Sequence, residues 1–119
     1  MNPLLVFVGG GIGALLRFAV GRAAILHGYT APFATLAVNV AGCLAMGLLA
    51  GWFTSRGGSE PWRIFLLTGV LGGFTTFSAF GLDALTLTQR GAYGAALAYV
   101  VASVLISLGA VAAGFAIVR

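Results

Sequence analysis

Tyr99, Ser103 and Ser107 stand four and four residues apart. On a helix that spacing sets three hydroxyls in one stripe. Thr35 and Asn39, also four apart, share a helical face in the same way. Thr68, Thr75, Thr76, Ser78 and Asp83 crowd a third stretch, and Arg17 stands by itself in a fourth. All of them lie inside long apolar runs, where a polar group needs a partner or water. Hydroxyls, an amide N–H and a guanidinium are donors, and a set of donors with few acids favours an anion. Asp83 is the only carboxylate at bilayer level, so a carrier working through a buried acid has one candidate group. Each residue also has a plainer account. Ser and Thr in membrane helices bond back to the preceding turn, and an Asn can clasp two helices together. Three hydroxyls in register are harder to explain in that way. Together with Asn39 they can solvate something small that crosses the membrane.

The stretch "GVLGGFTTFSAFGLD" (residues 69–83) poses a second question. It is apolar enough to cross a membrane, yet it gathers glycines and hydroxyls at its middle. Gly72, Gly73, Thr75 and Thr76 together lower helix propensity, so a break is expected near residues 72–76. A break at mid-bilayer frees carbonyls and N–H groups, which are tolerated only when buried in protein, facing water or bound to an ion. Freed carbonyls make a cation site. Beyond the break, Phe77 and Phe80 share a face. Aromatic rings carry a positive edge, and edges turned into a narrow pore can touch a small anion without trapping it. From spacing alone, simple packing is the more ordinary account of two phenylalanines.

These residues need membrane-spanning helices to hold them. Of the 119 residues, 61% are hydrophobic and only 7% charged, more apolar surface than a soluble domain of this length can hide. Some 20 apolar residues span a hydrocarbon core, and four such runs fit: 3–26, 32–54, 61–87 and 92–118. The expected fold is an all-α integral membrane protein, residues 1–119 forming a single four-helix domain with short connections. The first run has no basic start and is too long for a cleavable signal. Pro3, Pro32 and Pro61 sit near run starts, where a missing N–H does no harm. Trp52, Trp62, Tyr29 and Tyr93 lie near run ends, as interfacial aromatics do, and His27 reads as a solvated loop residue. Gly9/Gly13, Gly47/Gly51 and Gly69/Gly73 have the spacing that lets backbones approach. In the fourth run Ala95, Ala98, Ala102 and Ser103 take that place. Cys43 reads as a small core residue. The basic residues are scattered, with no stripe for nucleic acid. All six are arginine. Arg56, Arg63 and Arg119 fall on one side of the membrane; Arg22 and Arg90 fall on the other, with Arg17 deeper in that half and able to snorkel outward. That balance gives the positive-inside rule little to act on. It permits chains inserted both ways, and so an antiparallel homodimer.

Three separated motifs resemble the Fluc (CrcB-type) fluoride channels of microbes. "GGGIGALLRF" (residues 9–18) is similar to the family's glycine-rich first helix with its arginine. "TLAVNVAGCLAMG" (35–47) is similar to the second helix with its pore asparagine, and "GGFTTFSAF" (72–80), the most specific of the three, to the broken third helix. The resemblance covers nearly the whole chain. It implies a dual-topology antiparallel homodimer in the cell membrane, giving passive fluoride efflux through two pores. By residue, it implies Phe77 and Phe80 as the phenylalanine box, Asn39 as the pore amide, and Tyr99, Ser103 and Ser107 as the polar track. Gly72 and Thr75 would lend main-chain carbonyls to a structural Na⁺ at the dimer interface, and Arg17 would stand near an aqueous vestibule. The chain departs from the family where Ala79 replaces a frequent hydroxyl residue and Asp83 a frequent glutamate. Two other readings stay open: a proton-coupled small multidrug-type transporter working through Asp83, and a non-transporting membrane assembly subunit.

Overall fold

A computed structural model describes residues 2–119. Helix α1 (Pro3–Leu26) and helix α2 (Ala31–Arg56) are uninterrupted. The third span is assembled from pieces. A short α3 (Glu60–Arg63) runs into a π-helical segment (Ile64–Leu71), then into α4 (Gly72–Phe74), and after two extended residues into α5 (Phe77–Gln89). Helix α6 (Tyr93–Val118) completes the chain. Four spans are long and apolar enough to cross a membrane: Pro3–Leu26, Ala31–Arg56, Glu60–Gln89 and Tyr93–Val118. Each lies within two residues of the run expected from sequence.

Local chemistry sets the boundaries. The Asn2 side chain accepts the Leu4 N–H at 3.0 Å, and Pro3 follows as the first helical residue, a position where its missing N–H costs nothing. Gly57 ends α2 at φ 75° and Gly91 follows α5 at φ 79°, left-handed conformations that stop a helix where a Cβ would be strained. At one end of the bundle Arg56 lies over the Trp52 ring, 4.5 Å from its centroid, and donates to the Val118 carbonyl at 2.9 Å. This ties the C-terminal ends of α2 and α6 together at an interface level.

The glycines close the bundle. A Cβ on Gly69 would stand 3.1 Å from the Gly9 Cα, and one on Gly9 would stand 2.7 Å from the Phe65 carbonyl oxygen. So α1 meets the π-helical segment backbone to backbone, as the glycine spacing predicts. On the other side α2 and α6 meet through Gly47 and Gly51 against Gly114 and its neighbours. Here the expectation needs correcting. Ala95 and Ala98 are exposed; the packed face of α6 keeps Ser103 and adds Ala96, Tyr99 and Gly114. A tyrosine and a glycine lie on the contact because α6 has to clear the backbone of α2 at one end and fill space beside α5 at the other. The π-helical segment is a second surprise. Its i→i+5 turns occur mostly as short bulges near functional sites, and this one leads straight into the break.

Little of each span is covered by the rest of the protomer. Phe7, Leu15, Leu105 and Phe77 are among the exposed apolar residues, facing lipid or another chain. The backbone contact at Gly114 makes a direct prediction. A Cβ there would lie 2.8 Å from the Leu48 N and 3.2 Å from the Gly47 carbonyl carbon, whereas nothing lies near one on Gly109. Gly114→Val should lower stability by about 1–3 kcal/mol, and Gly109→Val should lower it less. Thermal unfolding in detergent compares the two, and equal melting points would refute the packing described.

Candidate functional site

The break falls on Thr75 and Thr76, which are extended (φ −80°, ψ 157° and φ −150°, ψ 123°). Gly72 and Gly73 remain helical, so the break lies at the C-terminal edge of the stretch expected for it. The β-branched threonines take the extended backbone that suits them, and α5 restarts with the Thr76 hydroxyl accepting the Ala79 N–H at 3.2 Å.

Asn39 closes the gap. Its Oδ1 accepts the Thr76 N–H at 2.8 Å, and its Nδ2 donates to the Thr76 carbonyl at 2.9 Å. One side chain thus pairs both backbone groups of one residue, and the two bonds fix which way the amide points. Its second Nδ2 hydrogen is left over. Arg17 serves the other flank: its Nε donates to the Gly73 carbonyl at 3.2 Å. The outward snorkelling expected of Arg17 is therefore replaced by a hydrogen bond to the break. The Thr75 hydroxyl bonds back to the Leu71 carbonyl at 3.0 Å, as a threonine in a membrane helix commonly does.

Two cavities flank this point. One of about 320 Å³ is lined by Asn39, Cys43, Thr75, Thr76, Phe77, Phe80, Ser103, Val104, Ser107 and Leu108. The other, about 310 Å³, is bordered by Arg17, Arg22, Thr35, Thr76 and Ala79, with apolar residues completing its wall. Thr76 borders both. A larger groove of about 660 Å³ between α1 and α2 is almost wholly apolar and offers no comparable chemistry. In the first cavity the Phe77 and Phe80 rings lie 5.4 Å apart at 49°. Phe80 is buried while Phe77 is 81% exposed on the protomer. Ser103 is buried and its hydroxyl has no partner among the described residues.

Of the residues singled out from sequence, Asn39, Phe77, Phe80, Ser103 and Ser107 converge on one cavity, and Thr75 joins them. Tyr99 does not line it. Its hydroxyl donates to Asp83 Oδ2 at 3.0 Å and its ring packs on Phe80, centroids 5.3 Å apart. Arg17 stands in the neighbouring cavity. Cys43, expected as an ordinary core residue, faces the first cavity half-buried. The signal for it was present, since it lies four residues after Asn39. Among the described residues no three His, Cys, Asp or Glu side chains gather, so the groups at the break that could serve a cation are main-chain carbonyls and hydroxyls. Gly72 fits that part: the Thr76 N–H that would close its helical bond is given to Asn39. The Thr75 carbonyl, on extended backbone, fits as well.

Fold and site together define a small multi-pass membrane protein, with a polar break in its third span opening on a cavity lined by Asn39, threonine and serine hydroxyls and two phenylalanines. The family model described as "CrcB-like protein, Camphor Resistance (CrcB)" matches residues 4–115, and the chain belongs to that family. It is 52% identical over 120 residues to the "Fluoride-specific ion channel FluC" of Methylobacterium nodulans, covering 100% of this chain and 97% of that one. It is 52% identical over 121 residues to the protein of that name from Rhizobium etli, with coverage of 100% and 97%. A third, from Paracoccus denitrificans, is 52% identical over 118 residues, covering 98% and 93%. Four spans and bacterial relatives make this a multi-pass protein of the bacterial membrane.

The bonds to Thr76 predict the effect of removing the amide. Asn39→Leu keeps the volume but strands both an N–H and a carbonyl, at about 1–3 kcal/mol each where buried. A lower melting temperature is expected, with a larger drop than for Cys43→Ala on the next turn. Parent-like melting of Asn39→Leu would refute the bridging role.

Proposed function

We propose that the chain is a fluoride channel, letting fluoride leave the cell passively and so protecting the cytoplasm. The observation that carries this reading is its 52% identity, across the full chain, to a protein named as a fluoride-specific ion channel. The site's chemistry supports it. Fluoride is small and strongly hydrated, so a path for it must replace water with donors at each step while holding none too tightly. The spare Nδ2 hydrogen of Asn39, the unpartnered Ser103 hydroxyl and Ser107 supply neutral donors around one cavity. The edges of Phe77 and Phe80 add weak positive contacts. Arg17 and Arg22 give the adjoining cavity a positive wall that raises the local anion concentration. Asp83, the group a proton-coupled carrier would need, is engaged with Tyr99.

The working unit in this reading is an antiparallel homodimer within membrane lipid. Phe77 and Gly72 are exposed on the protomer, and a second copy is a natural cover for them. The balanced arginines permit opposite insertion. The Gly72 and Thr75 carbonyls of both copies would then surround a structural Na⁺. Four protein oxygens suit a singly charged ion better than Ca²⁺, which takes six to eight.

Two measurements test this. Purified protein in liposomes should release fluoride and retain chloride. Phe80→Ile and Phe77→Ile, which keep apolar bulk but lose the ring edge, should cut fluoride flux severely with an unchanged size-exclusion profile. Plain packing predicts preserved flux or general destabilisation. Absence of fluoride release by the parent protein would overturn the assignment. For the assembly, a C-terminal reporter should be found on both sides of the membrane, and replacing Na⁺ by a bulky organic cation should weaken the dimer. A reporter confined to one side would exclude the homodimer.

A further inference from the structure

We infer that Asp83 is a positioning residue for the pore aromatics, acting through Tyr99. This rests on the channel reading above. Phe77, Phe80 and Asp83 follow one another at intervals of three along α5, so they run along one side of that helix. Tyr99 of α6 meets this line at two points. Its ring lies on Phe80, with centroids 5.3 Å apart at 47°, and its hydroxyl donates to Asp83 Oδ2 at 3.0 Å. Apolar stacking by itself leaves a ring free to slide and turn. A hydrogen bond at the far end of the phenol removes that freedom.

Phe80 and Tyr99 are both buried, at 8% and 9% exposure. Phe77 is exposed, and its aromatic neighbour in the protomer is Phe80, 5.4 Å away. Orientation is therefore handed along from Asp83 to Tyr99, to Phe80 and to Phe77. Neither Asp83 nor Tyr99 lines the cavity that holds the phenylalanines. They act from behind it. The contact at stake is directional, because a ring is positive at its edge and negative on its face. Turning Phe80 from edge to face reverses the sign of what an anion meets. What Asp83 contributes is an acceptor in a fixed place, and a neutral amide oxygen can fill the same role.

The test is fluoride efflux from liposomes, with size-exclusion profiles for each variant. Asp83→Ala removes the acceptor. Tyr99→Phe removes the donor and keeps the ring, with little risk to folding. Each should slow fluoride efflux by about tenfold, the scale of one lost hydrogen bond to a carboxylate. Asp83→Asn, which keeps an acceptor at the same place, should recover most of what Asp83→Ala loses. The double variant Asp83→Ala/Tyr99→Phe should be no slower than either single one, since both cut the same link. Parent-like efflux in Tyr99→Phe or Asp83→Ala would overturn the inference. So would an Asp83→Asn as slow as Asp83→Ala, or losses that multiply in the double variant. In all of those results the parent still conducts fluoride. A parent that does not conduct overturns the channel reading, and this inference with it.

Discussion

Everything in this structure turns on one residue's backbone left unpaired at mid-membrane. A helix crosses hydrocarbon because it satisfies its own N–H and carbonyl groups, and it can be interrupted only where something else satisfies them. At Thr76 that something is the single side chain of Asn39, bonded to both groups at 2.8 and 2.9 Å. An amide is the one side-chain group in this region that can give and accept at the same spacing as a neighbouring strand. Hydroxyls lack the reach and a carboxylate lacks the donor. The break therefore depends on α2 standing at a fixed distance from the third span. That distance is in turn set by how closely α1 holds the third span and α2 holds α6.

The glycine contacts supply that spacing. α1 grips the π-helical segment through Gly9 and Gly69, while α2 and α6 are drawn together at Gly47 and Gly114. One cavity lies among α2, the break, α5 and α6, and the other among α1, α2, the break and α5. Arg17 joins α1 to the break. It rises from the glycine-rich face of α1 and ends on the Gly73 carbonyl, so the packing of the first helix is transmitted to the edge of the break.

Much of this was legible in the sequence, for reasons that can be stated residue by residue. The spans follow from composition and length alone. The break was legible because Gly72, Gly73, Thr75 and Thr76 oppose helix together, and the hydroxyl stripe because its spacing is helical. What could not be read were relations between helices. Tyr99 belongs by spacing to the stripe of Ser103 and Ser107, yet its longer side chain carries the hydroxyl past them to Asp83. Ala95 and Ala98 have the right size for a packing face, but α6 is rotated so that Gly114 takes the close contact. The π-helical segment has no compositional mark of its own: "IFLLTGVL" reads as an ordinary apolar helix. Cys43 faces the cavity of Asn39, as its place one helical turn after that residue allows, though its own chemistry pointed only to packing.

The distribution of charge follows from the same constraint. Full charges lining the cavity of the phenylalanines would be expensive to bury and would bind an oppositely charged ion too firmly to release it. The cavity at the phenylalanines is lined by uncharged residues throughout. The arginines stand one step away, where Thr76 forms the shared wall. The one carboxyl nearby is occupied by a tyrosine hydroxyl and kept behind the rings. In the channel reading proposed above, attraction and passage fall to different cavities: the guanidinium groups would gather anions at one side of the break, and neutral donors would carry them past it. The residue that separates the two cavities is also the one whose backbone Asn39 must satisfy, so the amide that permits the break also stands where an ion would leave the charged cavity for the neutral one.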